Sequence, residues 1–133
     1  MIHSTHRFHG RSGLRFVYQN GSAVRGESLG LRVARNSRQQ TWRVAVVVSR
    51  KVSKSAVVRN RIRRRIFELV RREAAGRIKQ PYDLVFSAYS DTLAAMSHDD
   101  LAAAVRLLLD RAQLKSDASR PDHAIVKPKE IHA

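Results

Sequence analysis

The sequence predicts a single α+β domain in which a central, mostly antiparallel sheet is packed by helices, in the order α-β-β(-β)-α-β-α. Three observations carry that expectation. Runs of strand character at residues 28–34, 43–49 and 82–88 alternate with segments whose apolar residues recur at helical spacing. A chain of 133 residues, 43% of them hydrophobic, can fill one core but not two. The charge is also uneven: 26 Lys and Arg face 11 Asp and Glu, for a net charge of +15, yet Asp91 to Asp117 holds five acids against three Lys or Arg. The cationic surface therefore belongs to the first two thirds of the chain.

Taken in order, residues 1–9 read as a mobile polar tail, residues 10–115 as the folded domain and residues 116–133, rich in Lys, Asp, Ser and Pro, as a disordered tail. A first helix is expected from Arg11 to Asn20. Leu14, Val17 and Tyr18 share one of its faces and Phe16 lies toward another. Ser12 can cap its start, and Gly21 is placed for a left-handed residue at its end. Position alone favours core packing over base stacking for Tyr18 and Phe16. Ser28–Ala34 and Arg43–Ser49 follow as strands, and the polar residues 36–40 between them make a connection of hairpin length. In the first of these strands Leu29, Leu31 and Val33 face one way and Gly30, Arg32 and Ala34 the other. The VAVVV run of the second calls for a central position covered on both sides.

The stretch from Ser49 to Glu73 organises the rest. Between Arg50 and Arg72 stand ten basic residues and one acid, Glu68. Val58, Ile62, Ile66, Leu69 and Val70 fall on one helical stripe, so the segment is an amphipathic helix with a cationic outer side. Asn60, Arg64 and Arg71 point away from the stripe, and Arg61, Arg63 and Arg72 flank it. Ser53 or Ser55 can cap the start. Like charges at this spacing repel by a few tenths of a kcal/mol per pair, a cost that a polyanion would relieve. Arginine rather than lysine dominates, which suits planar, bidentate contacts to phosphate.

Gly76 then loosens the chain and Gln80-Pro81 stops it, since proline cannot continue a helix. In the strand Tyr82–Ala88, Tyr82, Leu84, Phe86 and Ala88 share a face, and Asp83 sits alone. Ser90-Asp91-Thr92 opens a loop. Ser97, with Asp100 three residues on, starts a last helix whose Leu101, Val105, Leu108 and Ala112 keep one apolar face.

Several function classes recede on composition. The chain has no cysteine, hence no disulfide, thiol nucleophile or cysteine-based zinc site. It has no run of about 18 apolar residues to cross a membrane and no apolar core of a secretory signal, so a cytoplasmic location without membrane partners is expected. His3, His6 and His9 recur every three residues but lack carboxylates beside them. His98, Asp99 and Asp100 look catalytic in isolation, yet the first turn of a helix favours acids electrostatically. The other acids are scattered, so no catalytic residue and no metal site is expected in the protein. A DNA-binding basic helix would need a zipper that does not follow, and a membrane-surface helix would not be flanked by strands.

At the residues A-x-x-R-N-R-I-R-R, from Ala56 to Arg64, preceded by V-S-R-K from Val48 to Lys51, the chain resembles the bacterial ribonuclease P protein family. These are small basic partners of a catalytic RNA that removes the 5′ leader from precursor tRNA. Arg7-Phe8, Leu14, Val17-Tyr18 and Gly21 follow the same pattern, and the resemblance covers roughly Arg7 to Leu114. It implies a ribosomal-protein-like fold with a left-handed βαβ crossover, where general rules would favour the right-handed one. It also implies that Arg50, Lys51, Arg59, Asn60, Arg61, Arg63 and Arg64 contact the catalytic RNA, and that Leu14, Tyr18 and Arg32 line the cleft for the single-stranded leader. Leu14 and Arg32 stand where the family commonly has aromatics, and Phe67 where it has a basic residue, so leader recognition is expected to lean on charge.

The resemblance further implies a non-catalytic protein subunit, monomeric in a 1:1 complex with the RNA. No cofactor is expected on the protein alone, and Mg²⁺ would come with the RNA subunit. The alternative is a structural, ribosomal-type RNA-binding protein with no part in cleavage.

Overall fold

Alternation in the apolar runs builds one sheet, and helical periods supply its covers. The computed structural model describes residues 11–36, 41–74, 78 and 80–112. Both expected tails, the His3, His6 and His9 series, Gly76 and most of the 36–40 connection lie outside the described residues. Strands β1 (Ser22–Arg25), β2 (Leu29–Arg35), β3 (Arg43–Val47) and β4 (Tyr82–Ala88) form a sheet in the order β1-β2-β4-β3. The β1–β2 and β2–β4 pairs are antiparallel and β3 runs parallel to β4. Helices α1 (Arg11–Asn20), α2 (Ala56–Ala74) and α3 (His98–Arg111) complete the domain, with a 3₁₀ turn at Asp91–Ala94 where only a loop was expected.

The topology corrects two expectations about the strands. β2 and β3 are not a hairpin, because β4 inserts between them. β3 consequently takes an edge and β4 the centre, although β3 keeps Val44, Ala45 and Val46 buried as its unbroken apolar run requires. α2 is the crossover that joins the parallel pair β3 and β4.

The two faces of the sheet carry different loads. On one, Leu31, Val33, Val46, Leu84 and Phe86 meet Ile62, Ile66, Leu69 and Val70 of α2 and Leu101, Val105 and Leu108 of α3. On the other, Val17 of α1 seats on Ala34, Ala45 and Val85, with Leu14 and Phe16 packed against the same cluster. Phe16 thus packs against the same cluster as its neighbours instead of facing away from it. At about 15 Å for ten residues, α1 is too short to cover the whole face. The part around Arg32, Gly30 and Ser87 carries no described helix.

Local signals account for the ends. The Ser55 hydroxyl accepts from the Val58 amide at 3.3 Å and the Ser97 hydroxyl from the Asp100 amide at 3.1 Å, so both helices start at a serine cap. The Ser12 side chain is not among those described, and Gly21 is not left-handed. Its amide continues the helix by donating to the Val17 carbonyl at 2.7 Å, and a Cβ there would lie 2.5 Å from that oxygen and 2.7 Å from the Val33 carbonyl. Close approach, not a positive φ, requires the glycine.

Asp83, read as solitary, is fully buried and well partnered. Arg43 Nε and Nη2 donate to its two carboxylate oxygens at 2.9 Å each, and Asn36 Nδ2 donates at 2.9 Å. This bidentate bridge ties β3 to β4 at the register pair Arg43–Asp83. Arg43→Ala should therefore lower stability by about 3–5 kcal/mol in urea unfolding, because it leaves a buried carboxylate without its cation. Arg43→Met combined with Asp83→Leu should recover most of that loss.

Candidate nucleic-acid interface

The buried stripe of α2 fixes what its other side shows. With Ile62, Ile66, Leu69, Val70 and Ala74 against the core, Asn60, Arg61, Arg64, Arg71 and Arg72 are exposed and Arg59 and Arg63 half-buried. The arginines are not equivalent. Arg65 Nη1 donates to the Leu93 carbonyl at 2.7 Å and to the Ala94 carbonyl at 3.1 Å, and its Nη2 donates to Met96. One turn earlier Arg61 Nε donates to Ala94 at 2.8 Å. Together they satisfy carbonyls at the end of the 3₁₀ turn, so Arg65, and one edge of Arg61, hold the fold. Arg59 Nη1 donates to the Ser53 carbonyl at 2.9 Å and clamps the approach to the helix.

Among the described residues Arg63 reaches only the Asn60 side-chain oxygen, at 3.3 Å. Arg64 makes no hydrogen bond or ion pair among the described residues. Glu68 accepts from Arg71 at 3.2 and 2.8 Å, which holds its carboxyl well below the usual carboxylate range. Arg59, Arg61, Arg63 and Arg64 therefore meet no carboxylate among the described residues, and part of the repulsion is answered by backbone carbonyls instead of by a polyanion.

Ahead of α2, the Val52 amide donates to the Ser49 carbonyl at 3.1 Å and closes a tight turn. Arg50 and Lys51 are its central residues and both are exposed. With Lys54, Ala56 and Arg59 they line an open recess of about 620 Å³. A shallow cationic recess of this shape suits a phosphate backbone, to which it offers charge without enclosing a small molecule.

The second surface is the uncovered part of the sheet. Tyr18 is 44% exposed, and the Arg32 guanidinium lies 4.9 Å from the centre of its ring. Leu14 is half-buried on the α1 side of this face. The structure thus puts Leu14, Tyr18 and Arg32 on one side of the sheet, gathers Arg50, Lys51 and Arg59 at one recess, and sets Asn60, Arg61, Arg63 and Arg64 on α2 beyond it.

Two contributors escaped sequence reasoning. The fold-holding part of Arg65 depends on a 3₁₀ turn 28 residues away and left no local signal. Tyr89 follows β4 on the face of Asp83, Val85 and Ser87, and strand parity could have placed it on the open side. Asp99 and Asp100 occupy the first turn of α3, and among the described residues no three His or acidic side chains group to hold a metal ion.

The family model described as Ribonuclease P matches residues 2–113. A ribonuclease P protein component from Synechococcus sp. is 33% identical over 117 residues, 86% of each chain. One from Clostridioides difficile is 33% identical over 103 residues, covering 77% of this chain and 88% of its own. The Staphylococcus aureus RNase P protein structure superposes with a TM-score of 0.72 at 21% identity, over 83% of this chain and 97% of that one.

The unequal arginines separate by measurement. Arg65→Ala should cost about 1.5–3 kcal/mol of stability, since the lost hydrogen bonds involve a charged donor. Arg64→Ala should stay within about 0.5 kcal/mol of wild type in the same unfolding experiment while weakening binding to a structured RNA.

Proposed function

The chain belongs to the ribonuclease P protein family, and from that premise we propose that α2 and the Arg50–Lys51 turn lie against the catalytic RNA while the open sheet face grips the 5′ leader of precursor tRNA. Its activity is that of an RNA-binding subunit of the ribonucleoprotein in precursor tRNA processing. One observation carries the division of surfaces: Arg59, Arg61, Arg63 and Arg64 of α2 meet no carboxylate among the described residues, while the exposed ring of Tyr18 is on the opposite side of the sheet from α2.

Cleavage itself falls to the RNA in this reading. Phosphodiester hydrolysis by a protein needs a positioned base or clustered carboxylates, and the best buried carboxylate here, Asp83, is consumed by Arg43 and Asn36. Mg²⁺ would sit on RNA phosphates, and the protein, one copy per RNA, would lower the repulsion between two polyanions. Structured RNA is met through its backbone and shape, and the single strand through a groove, so leader preference is broad. A soluble assembly of this kind works in the cytoplasm, and no described helix is long and apolar enough to cross a membrane.

Reconstitution with ribonuclease P RNA tests the reading. The protein should raise precursor cleavage at physiological salt and cleave nothing by itself. A structural RNA-binding protein would bind without raising turnover. Arg64→Ala should reduce the log–log salt slope of RNA binding by roughly 0.7–0.9 with the circular dichroism unchanged, and Arg59→Ala and Arg61→Ala should do so less cleanly because Arg59 Nη1 also holds the Ser53 carbonyl and Arg61 Nε that of Ala94. On the leader side, Arg32→Ala should weaken precursor affinity and Arg32→Tyr should retain it by substituting stacking for charge.

A further inference from the structure

The open face holds a second ring besides Tyr18. Tyr89 directly follows β4, and its amide extends the ladder by donating to the Ser28 carbonyl at 2.8 Å. Its side chain turns onto the sheet over Gly30: a Cβ at that position would lie 2.8 Å from Tyr89 Cζ and closer still to the hydroxyl. The glycine is a seat for the ring. Arg25, the register partner of Gly30 on β1, places its guanidinium 4.3 Å from the centre of the same ring. Tyr89 nevertheless stays 41% exposed.

Among the described residues Tyr18 and Tyr89 are the two exposed aromatics, and both are on this face with an arginine over the ring. Arg32 and Gly30 are two residues apart on β2, so the two ring sites are about 7 Å apart along the strand. The row Arg25, Gly30, Ser87 and Val47 crosses the sheet at the end where β3 leaves for the Arg50–Lys51 turn. Tyr89 therefore lies further than the Tyr18–Arg32 pair toward the end of the sheet from which the basic turn leaves.

We propose that Tyr89, seated on Gly30 and flanked by Arg25, is a second base-stacking station for the single-stranded leader, placed beyond Tyr18 toward the Arg50–Lys51 turn. This rests on the reading that the open face holds the leader. An exposed ring on a sheet with an adjacent guanidinium offers a face to any base and a charge to the neighbouring phosphate. Stacking lost at Leu14 and Arg32 is thereby supplied from the other end of the face.

The test uses the reconstituted ribonucleoprotein and precursors with a series of leader lengths, with mature tRNA as control. Tyr89→Leu keeps apolar bulk over Gly30 without a ring, and Gly30→Ala displaces the ring without removing it. Each should weaken binding of long-leader precursors roughly 5- to 150-fold, with little effect on the shortest leaders and on mature tRNA, and Tyr89→Phe should match wild type. If Tyr18→Ala weakens long-leader binding and Tyr89→Leu does not, the second station is wrong and the open-face reading stands. If neither distinguishes precursor from mature tRNA, the open-face reading falls and takes the station with it. Equal weakening of precursor and mature tRNA by Tyr89→Leu would also overturn the proposal.

Discussion

Everything in this fold depends on α2 being held by one side only. Ile62, Ile66, Leu69 and Val70 are essentially buried, and each such side chain is worth about 1.5–3 kcal/mol relative to exposure. The like-charge pairs on the outer side cost a few tenths of a kcal/mol each. Burial wins by a wide margin, so the helix stands without RNA and its cations are set in place before any ligand arrives. Arg61 and Arg65 reinforce that outcome by turning two of the repelling charges onto the free carbonyls of Leu93, Ala94 and Met96. A cationic helix that folded only on its ligand would lose affinity to the entropy of ordering, and this one does not incur that loss.

Much of this was legible in the sequence because helices announce themselves locally. The apolar face of α1, the stripe of α2 and the Ser97 start of α3 all follow from spacings within a few residues. Pairing between strands is a different kind of information. The run Val44 to Val48 reads as central because it is apolar throughout, but apolarity reports cover on both faces and not a neighbour on both edges. β3 has the cover and lacks one neighbour. β1 was not located because SAVR is four residues with no clear alternation, and its strand state comes from Val24 and Arg25 pairing with Leu31 and Gly30. The same limit hid the partners of Asp83, which come from residues 40 and 47 positions away.

The candidate site divides along the same line. The arginine-asparagine-arginine run is visible as composition, since a charge density so one-sided on an amphipathic stripe has few explanations. Which of those arginines are free is not visible, because that depends on where the 3₁₀ turn lands. Arg64 and Arg65 are adjacent and chemically identical, and the fold assigns one to solvent and the other to the Leu93 and Ala94 carbonyls. The 100° step between consecutive helical residues is the whole difference.

The two surfaces also answer differently to solution conditions, which gives their separation a physical use. Contacts from Arg50, Lys51 and α2 to a phosphate backbone weaken steeply with salt, since each releases counterions. Stacking on an exposed ring depends mainly on apolar contact and polarisation and is screened far less. The open face also carries guanidiniums, but Arg25 and Arg32 each lie over a ring, whereas α2 and the Arg50–Lys51 turn offer cations with no exposed Tyr, Phe or Trp among the described residues beside them. Here the crossover helix and the open sheet are on opposite sides of the sheet, with the Arg50–Lys51 turn at the junction. Under the proposed division of surfaces, salt should loosen the docking of folded RNA on α2 more than the hold on a single strand, in which stacking shares the work with Arg25 and Arg32.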